Sequence, residues 1–548
     1  MTHAPWLVVT LTTLRDCASQ RESANVFKDS GSWNMANGLS FIEPGRCSGW
    51  AIVECMPLAG MEDKFNEFRA TFNRLAGERR VQVSDYAQRH LSCRHKLSMS
   101  ILGVVCCLLT CILRPSPQLA LSCAQLGEFQ GHTRYNAQLV RERGIEQLLR
   151  EAVGDIERRG GRVGLLLCIL GNTTGANTPT YAAIKRWSHT ESGIPTQCVQ
   201  AGKALTIGGR GRMANDPQYH AGLMLKVNLK LGGINLAPRS GVGLKLLQAM
   251  PTMIIGIDIN HSPPGSEAPS FAAVVFSKDD ECARFHTIVT MQSKKKTEPV
   301  DHLIEKVHEG VDAYIRDHSS RGPPKRIIVF RDGVAQNMFD EIKEKELGAI
   351  REACATLPGT SGGYHPEIVF IIGQMCTKAR FAEWRAGKGG KGGKGGKGGK
   401  GFDKGGGKGG GKGGDLDWQN CQCGTVIDEG VTEAAHDNFY LVSAHALQGT
   451  ARAPHYHVLE NEANLTLGEL ERFTYDLCFF YARATKIVSR PAPLYYAHRA
   501  AYLGQYYNRD FRDGEQRWDA ASASSGGSTS SLNVGGVLTN VRRNLYYA

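Results

Sequence analysis

Residues 253–259 read M-I-I-G-I-D-I, and residues 325–334 read K-R-I-I-V-F-R-D-G-V. Each is a short apolar run that ends on an aspartate. Continuous apolar runs of this length suit strands buried on both faces, the pattern of a parallel sheet. Parallel neighbours release their chains at one edge, so Asp258 and Asp332 can meet at a point. Carboxylates are the ligands that hard Mg²⁺ or Mn²⁺ prefers. Phosphodiester hydrolysis commonly uses two such ions about 3.5–4 Å apart, one activating water and one stabilising the leaving oxygen. A single strand-end aspartate is equally at home in a turn, so the pair carries the argument.

Working outward, Pro269–Phe276 and Ala283–Met291 read as strands, Asp301–Asp317 as a helix, Glu341–Cys354 as a helix and Glu367–Ile372 as a strand. Tyr440–Ser443 looks like a strand end, and Leu467–Thr485 and Leu494–Tyr507 read as helices. Toward the N-terminus, Gly49–Met56 is strand-like and Met61–Leu75 is amphipathic at helical spacing. Asn136–Arg159 is a second such helix, stopped by Gly160-Gly161. Val163–Leu170 is a buried strand, and a polar loop leads to a helix from Tyr181 to Trp187. Strand, loop and helix repeat as α/β units. The spacing divides the chain into an α/β domain over 49–250 and another over 251–548.

The 548 residues carry a formal charge of +12, which suggests an anionic partner. Residues 387–414 hold eight lysines, one aspartate and 18 glycines in a K-G-G repeat. Such a stretch buries no core and reads as a disordered basic loop, either a tolerated insertion or a non-specific attractor of phosphates. The rest of the chain has 57 basic against 52 acidic residues, a net of only +5, so particular cations must make the case. Sixteen cysteines lie scattered. Cys421 and Cys423 have no partner pair at zinc-finger spacing, so the thiols read as free in a reducing compartment. Met1–Val9 lacks the basic segment and long apolar stretch of a secretory leader, so none is expected. Leu97–Leu113 is 17 residues without a charge, at the lower edge of a membrane span. It reads as an anchor, a buried helix or foreign sequence from an imperfect gene model, and no membrane partner is expected.

The flanking motifs add a resemblance. G-I-D-I-N-H-S-P-P at 256–264, R-D-G-V at 331–334, Q-G-T-A-R-A-P-H-Y-H-V-L at 448–459, T-Y-D-L-C at 474–478 and A-P-L-Y-Y-A-H at 492–498 resemble the PIWI domain of eukaryotic Argonautes, as does the final L-Y-Y-A. The resemblance implies a Rossmann-like MID domain followed by a ribonuclease H-like PIWI domain, and a small-RNA-guided RNA endonuclease using Mg²⁺ or Mn²⁺. Its partners would be a small guide RNA, a complementary target RNA and silencing-complex proteins, in the cytoplasm and also the nucleus.

Slicing members use a D-E-D-H or D-E-D-D tetrad. Carried over by motif, Asp258, Asp332 and His498 would hold metal. Glu298, on a loop about two residues longer than usual, would complete the catalytic set. His455 and His457 rival His498 by composition only and read as strand residues of H-Y-H-V. Tyr181 and Lys185 are spaced i, i+4, as are Lys226 and Lys230. With Gln197 they resemble the MID pocket for the guide's 5′-phosphate. A dianion wants several charge-assisted donors in one place. Slicing relatives often add an arginine where this chain has Leu503, for which Arg499 could substitute. Tyr481, Arg483, Ser489 and Tyr495 match positions that hold later guide phosphates. Ala335-Gln336 stands where relatives usually have Ser-Glu, which puts full slicing in question and leaves a non-cleaving guide-binding scaffold as the alternative. Residues 1–31 are unassigned, and 32–48, from S-W-N-M, resemble the family's second linker. The chain therefore reads either as a relative without N-terminal and PAZ domains or as a truncated gene model, and the apolar insert at about 91–126 favours the latter.

Overall fold

The computed structural model describes residues 49–54, 62–78, 142–171, 179–204, 217–236, 242–263, 268–293, 297–318, 322–359, 363–386, 416–446, 448–507 and 537–548, with a few short segments besides. The apolar stretch 97–113 and the Gly/Lys loop 387–414 lie outside the described residues, as does most of 1–48. Among the described residues no helix is long and apolar enough to cross a membrane.

The first sheet is parallel throughout. It comprises β1 (Trp50–Glu54), β2 (Phe129–Arg134), β3 (Leu165–Leu170) and β4 (Thr196–Gln200), in the order β2-β1-β3-β4. Its strands alternate between two apolar layers. Ile52, Leu165 and Leu167 meet Phe68 and Phe72 of α1 (Glu62–Glu78) and Met224 and Val227 of α4 (Pro217–Lys230). Ala51, Val53 and Leu166 meet Leu149 and Val153 of α2 (Ile145–Arg158) and Ile184 of α3 (Pro179–Arg186). The helix expected over 136–159 is interrupted: Val140, Glu142 and Arg143 are helical, and α2 starts afresh at Ile145. Gly144, at φ 76°, breaks the helical path just before it.

Helix α5 (Val242–Ala249) leads into the second sheet. That sheet holds β5 (Thr252–Asn260), β6 (Phe271–Ser277), β7 (Phe285–Met291), β8 (Arg326–Asp332), β9 (Glu367–Gln374), β12 (Thr425–Ile427), β13 (Asn438–Val442) and β14 (His455–Asn461). The hairpin of β10 (Ala382–Ala386) and β11 (Leu416–Asn420) stands apart. The order is β12-β13-β14-β9-β8-β5-β6-β7, with Thr12–Thr13 added beyond β12. Only β5, β8 and β9 run parallel to one another, and they form the centre. One face packs Ile255, Ile257 and Val329 against α6 (Leu303–Asp317) and α7 (Gly348–Ala355). The other packs Ile254, Phe330 and Ile371 against α8 (Leu467–Leu477) and α9 (Ala492–Gly504).

Helix α8 opens on a capping box of Thr466 and Glu469, which satisfies two orphan donors at the helix start. It ends at Leu477, eight residues short of the amphipathic stretch read from sequence. The chain is drawn off by Tyr496, whose hydroxyl donates to the Phe480 carbonyl and accepts from the Ala482 amide.

Candidate metal centre and anion pocket

Strands β5 and β8 are in register with Ile257 opposite Arg331. The next residue on each is Asp258 and Asp332, side by side at the carboxyl edge. Alternation turns both side chains toward α9, which crosses that face. The helix lies so close that a Cβ on Gly256 would sit 2.4 Å from the Pro493 carbonyl oxygen. Glycine there is what lets His498 reach down, and its Nδ1 lies 2.8 Å from Asp258 Oδ2. Asp258, Asp332 and His498 each offer a ligand atom within 4.8 Å of the others. Both carboxylates are buried, while His498 is 46% exposed at the mouth.

Burial, reinforced by the neighbouring Asp258 carboxylate, pushes the Asp332 carboxyl up to about 7. Two carboxylates this close resist joint ionisation unless a cation intervenes. Arg490 supplies part of that charge, donating from Nη1 to Asp332 Oδ2 at 3.0 Å. Its guanidinium also lies 5.3 Å from the centre of the Tyr495 ring. Two carboxylates and an imidazole make a donor set that fits a divalent cation.

Glu298 stands outside this group of three. Its carboxylate bonds His261 Nε2 at 3.0 Å and Arg331 Nη2 at 3.2 Å. Arg331 is fully buried and is bound by both oxygens of Glu346 as well. Burial opposes ionisation of Glu298, but the His261 and Arg331 bonds outweigh it and hold its carboxyl below the usual range.

The second constellation forms around β4. Lys185 Nζ donates to the Thr196 carbonyl at 2.8 Å and to its hydroxyl at 3.0 Å. Lys230 Nζ donates to Gln197 Oε1 at 2.7 Å and to the Thr196 carbonyl at 3.3 Å. Both lysines are almost fully buried, and both satisfy themselves on neutral oxygens. Burial, then repulsion from Lys185, holds the Lys230 ammonium well below its usual range, with Arg483 and Lys226 adding to the repulsion. The Tyr181 ring lies 5.6 Å from the Lys185 ammonium and edge-on to Tyr506. Arg499, one residue after His498, is close enough to Tyr181, Arg483 and Tyr481 for its charge to interact with them. Its Nε is buried and has no hydrogen-bond partner among the described residues. Leu503 is packed in the core. The structure therefore gathers Tyr181, Lys185, Gln197, Lys226 and Lys230 from the first unit with Arg483 and Arg499 from the second. The Tyr481 ring lies 4.3 Å from the Tyr495 ring, tilted by 32°, and Ser489 is half-buried beside Arg490 in the same stretch. Residues 481–499 thus run from the cationic pocket to the carboxylate pair.

Sequence reading missed Arg490 as the partner of Asp332, and Arg331 and His261 as the partners of Glu298. Arg331 belongs to R-D-G-V and His261 to the motif at 256–264, but the pairings join residues 33 to 158 apart and leave no local spacing to detect.

An α/β protein with a buried carboxylate–imidazole group and a separate cationic pocket is the class that this fold and these sites define, and the comparisons narrow it. The Piwi domain model matches residues 165–509. Protein argonaute 5 of Arabidopsis thaliana is 32% identical over 73% of this chain, and protein argonaute 12 of Oryza sativa subsp. japonica is 32% identical over 74%. The chain belongs to the Argonaute family. It spans 38% and 36% of the lengths of those two relatives. Its fold is that of the C-terminal lobe of a budding yeast Argonaute, with a TM-score of 0.66 at 21% identity, covering 94% of this chain and 89% of that one. The MID-PIWI domains of an Argonaute from N. crassa give a TM-score of 0.52 at 18% identity, covering 93% and 100%. The fold is therefore a Rossmann-like MID unit followed by a ribonuclease H-like PIWI unit.

Proposed function

We propose that this chain grips the 5′-phosphate of a small guide RNA and hydrolyses the target RNA paired to that guide. The observation that carries the reading is a pairing of opposites on one molecule. Lys185 and Lys230 are buried cations with only neutral partners, while Asp258 and Asp332 are buried carboxylates in mutual repulsion. The first fits a phosphate dianion and the second a divalent cation. This reading takes the guide-end unit to be 49–250 and the cleaving unit to be 251–548.

In this reading Lys185, Gln197, Lys226 and Lys230 bind the terminal phosphate, with Arg499 completing the pocket in place of the leucine at 503. Tyr181 contacts the first nucleotide. Tyr481, Arg483, Ser489 and Tyr495 track later phosphates toward the carboxylates. Asp258, Asp332 and His498 hold Mg²⁺ or Mn²⁺, which when bound supplies Lewis acidity at the scissile phosphate. Asp258 is held in place by His498, and Arg490 offsets the Asp332 charge until the centre is filled. Glu298 joins the set once it leaves His261 and Arg331. Base pairing reads sequence, while the protein reads the A-form backbone.

The test is cleavage of a matched target by protein loaded with a 5′-phosphorylated guide in Mg²⁺. Asp332→Ala is expected to slow cleavage at least about a hundredfold, ~2.7 kcal/mol of barrier. Equal intact target from wild type and variant sinks the enzyme reading. A non-cleaving guide-binding scaffold is the second reading, favoured by the engagement of Glu298 with His261 and Arg331. It predicts guide binding with no cleavage by either protein.

A further inference from the structure

We propose that Glu433, His436 and His457 form a separate metal site that takes Zn²⁺ and ties the turn over 428–437 to strand β14. Their ligand atoms lie within 4.8 Å of one another. The site shares no residue with the Asp258 group.

The sheet builds it. Strand β13 pairs with β14 so that Asn438 stands opposite His457. The residues just before β13 therefore arrive beside the His457 ring, and an E-x-x-H spacing brings Glu433 and His436 together. The buried Asn438 side chain fixes that turn, donating to the carbonyls of Glu433 at 2.8 Å and His436 at 2.7 Å. Its amide oxygen faces His455 Nε2 at 2.8 Å. The ligands are positioned before any ion arrives.

The chemistry of the histidines points to a metal. His457 is fully buried, and among the described residues the one hydrogen-bonding contact of its ring is the Nε2 of another imidazole, His436, 2.8 Å from its Nδ1. Its own Nε2 is buried and has no hydrogen-bond partner among the described residues. A buried histidine is ordinarily oriented by a carboxylate or a carbonyl; here ring nitrogen faces ring nitrogen, with a carboxylate alongside. Zinc held at 2.0–2.1 Å with tetrahedral angles would place two nitrogens roughly 3.3 Å apart. The pair needs to open by only about half an ångström. Two imidazoles favour zinc over magnesium, which wants oxygen ligands. The adjoining hollow, about 420 Å³, is lined by Asp428, Glu429 and Asp437 and by no lysine or arginine. It would attract a cation and admit a water to the fourth position. Gln336, four residues beyond Asp332, donates to Glu433, so the site would also steady the loop that follows the catalytic strand.

The experiment uses the full chain carrying Asp258→Ala and Asp332→Ala, which removes the competing group. Chelator-stripped protein is dialysed against micromolar Zn²⁺ or millimolar Mg²⁺, and bound metal is counted by mass spectrometry. One zinc per chain and no retained magnesium are expected. Co²⁺ substitution should give tetrahedral visible bands. Adding His436→Ala should weaken zinc binding at least about tenfold, given that even outer-shell changes cost that much. Glu433→Ala, at an exposed position, repeats the test should the first variant misfold. Failure to retain zinc, or the same zinc affinity in both variants as in their parent, overturns the proposal.

Discussion

Gly256 has no room for a side chain, because the backbone of α9 fills the space. Gly256→Ala should push α9 away from β5 at a cost of about 1–3 kcal/mol, the usual price of overpacking. Thermal melting would register it, and cleavage should fall further than stability alone explains because His498 moves with the helix. Lys230→Met should behave in the opposite sense. It removes a buried ammonium repelled by Lys185, so the unloaded protein should keep its melting temperature. Affinity for a 5′-phosphorylated guide should fall about tenfold or more, the worth of one charged hydrogen bond. A binding titration with and without the guide phosphate separates this loss from general weakening. At this scale the sequence is partly legible. Asp258 and Asp332 announce themselves because a strand end is a local pattern. Lys185 and Lys230 are legible only as helix-face pairs, and their shared acceptor, Thr196, is not. Arg490 finds Asp332 across 158 residues, a distance no periodicity spans.

Among the elements, β5 and β8 follow the apolar runs closely, since a strand buried on both faces needs a continuous apolar run and so marks its own limits in the sequence. The helices follow less well. Apolar spacing continues past Leu477, yet α8 stops there because Tyr496 captures the backbone of Phe480 and Ala482. That is a tertiary decision. The short helix Thr539–Arg542 offers an element-scale test. Arg542 binds both oxygens of Glu309, which also meets His286 Nε2 at 2.8 Å. Burial opposes ionisation of Glu309, but His286 and Arg542 outweigh it and draw its carboxyl down to about 2. A carboxyl held below its unfolded value stabilises above that value and loses the contribution as pH falls. The docking of 537–548 should therefore be intact above about pH 4.5 and weaken progressively toward pH 2. Limited proteolysis across that range should show the segment released earlier in acid, and Glu309→Gln should flatten the dependence.

At the scale of the molecule, residues 537–548 bridge the two sheets. The Leu538 amide donates to the His189 carbonyl at 2.9 Å, and the Tyr546 ring packs 4.8 Å from the His189 ring. Tyr547 reaches Thr287 on β7 at 3.1 Å. Tyr546→Ala should loosen one unit from the other while leaving each folded. A single melting transition in the wild type should then broaden or split, and calorimetry would show it. The two α/β units themselves were legible from strand-loop-helix repeats; the strap was legible only as a motif, L-Y-Y-A, with no hint of what it spans.

The same strap sets an order of events during synthesis. Chains fold as they emerge, N-terminal units first. The surface around His189 belongs to elements made far earlier than residues 537–548 and must wait uncovered, whereas the sheet carrying Thr287 is finished by β14 and α9 only shortly before the strap. The joint between the two units is thus the last part of this structure to close, and a stalled or prematurely ended chain would present two folded halves without it.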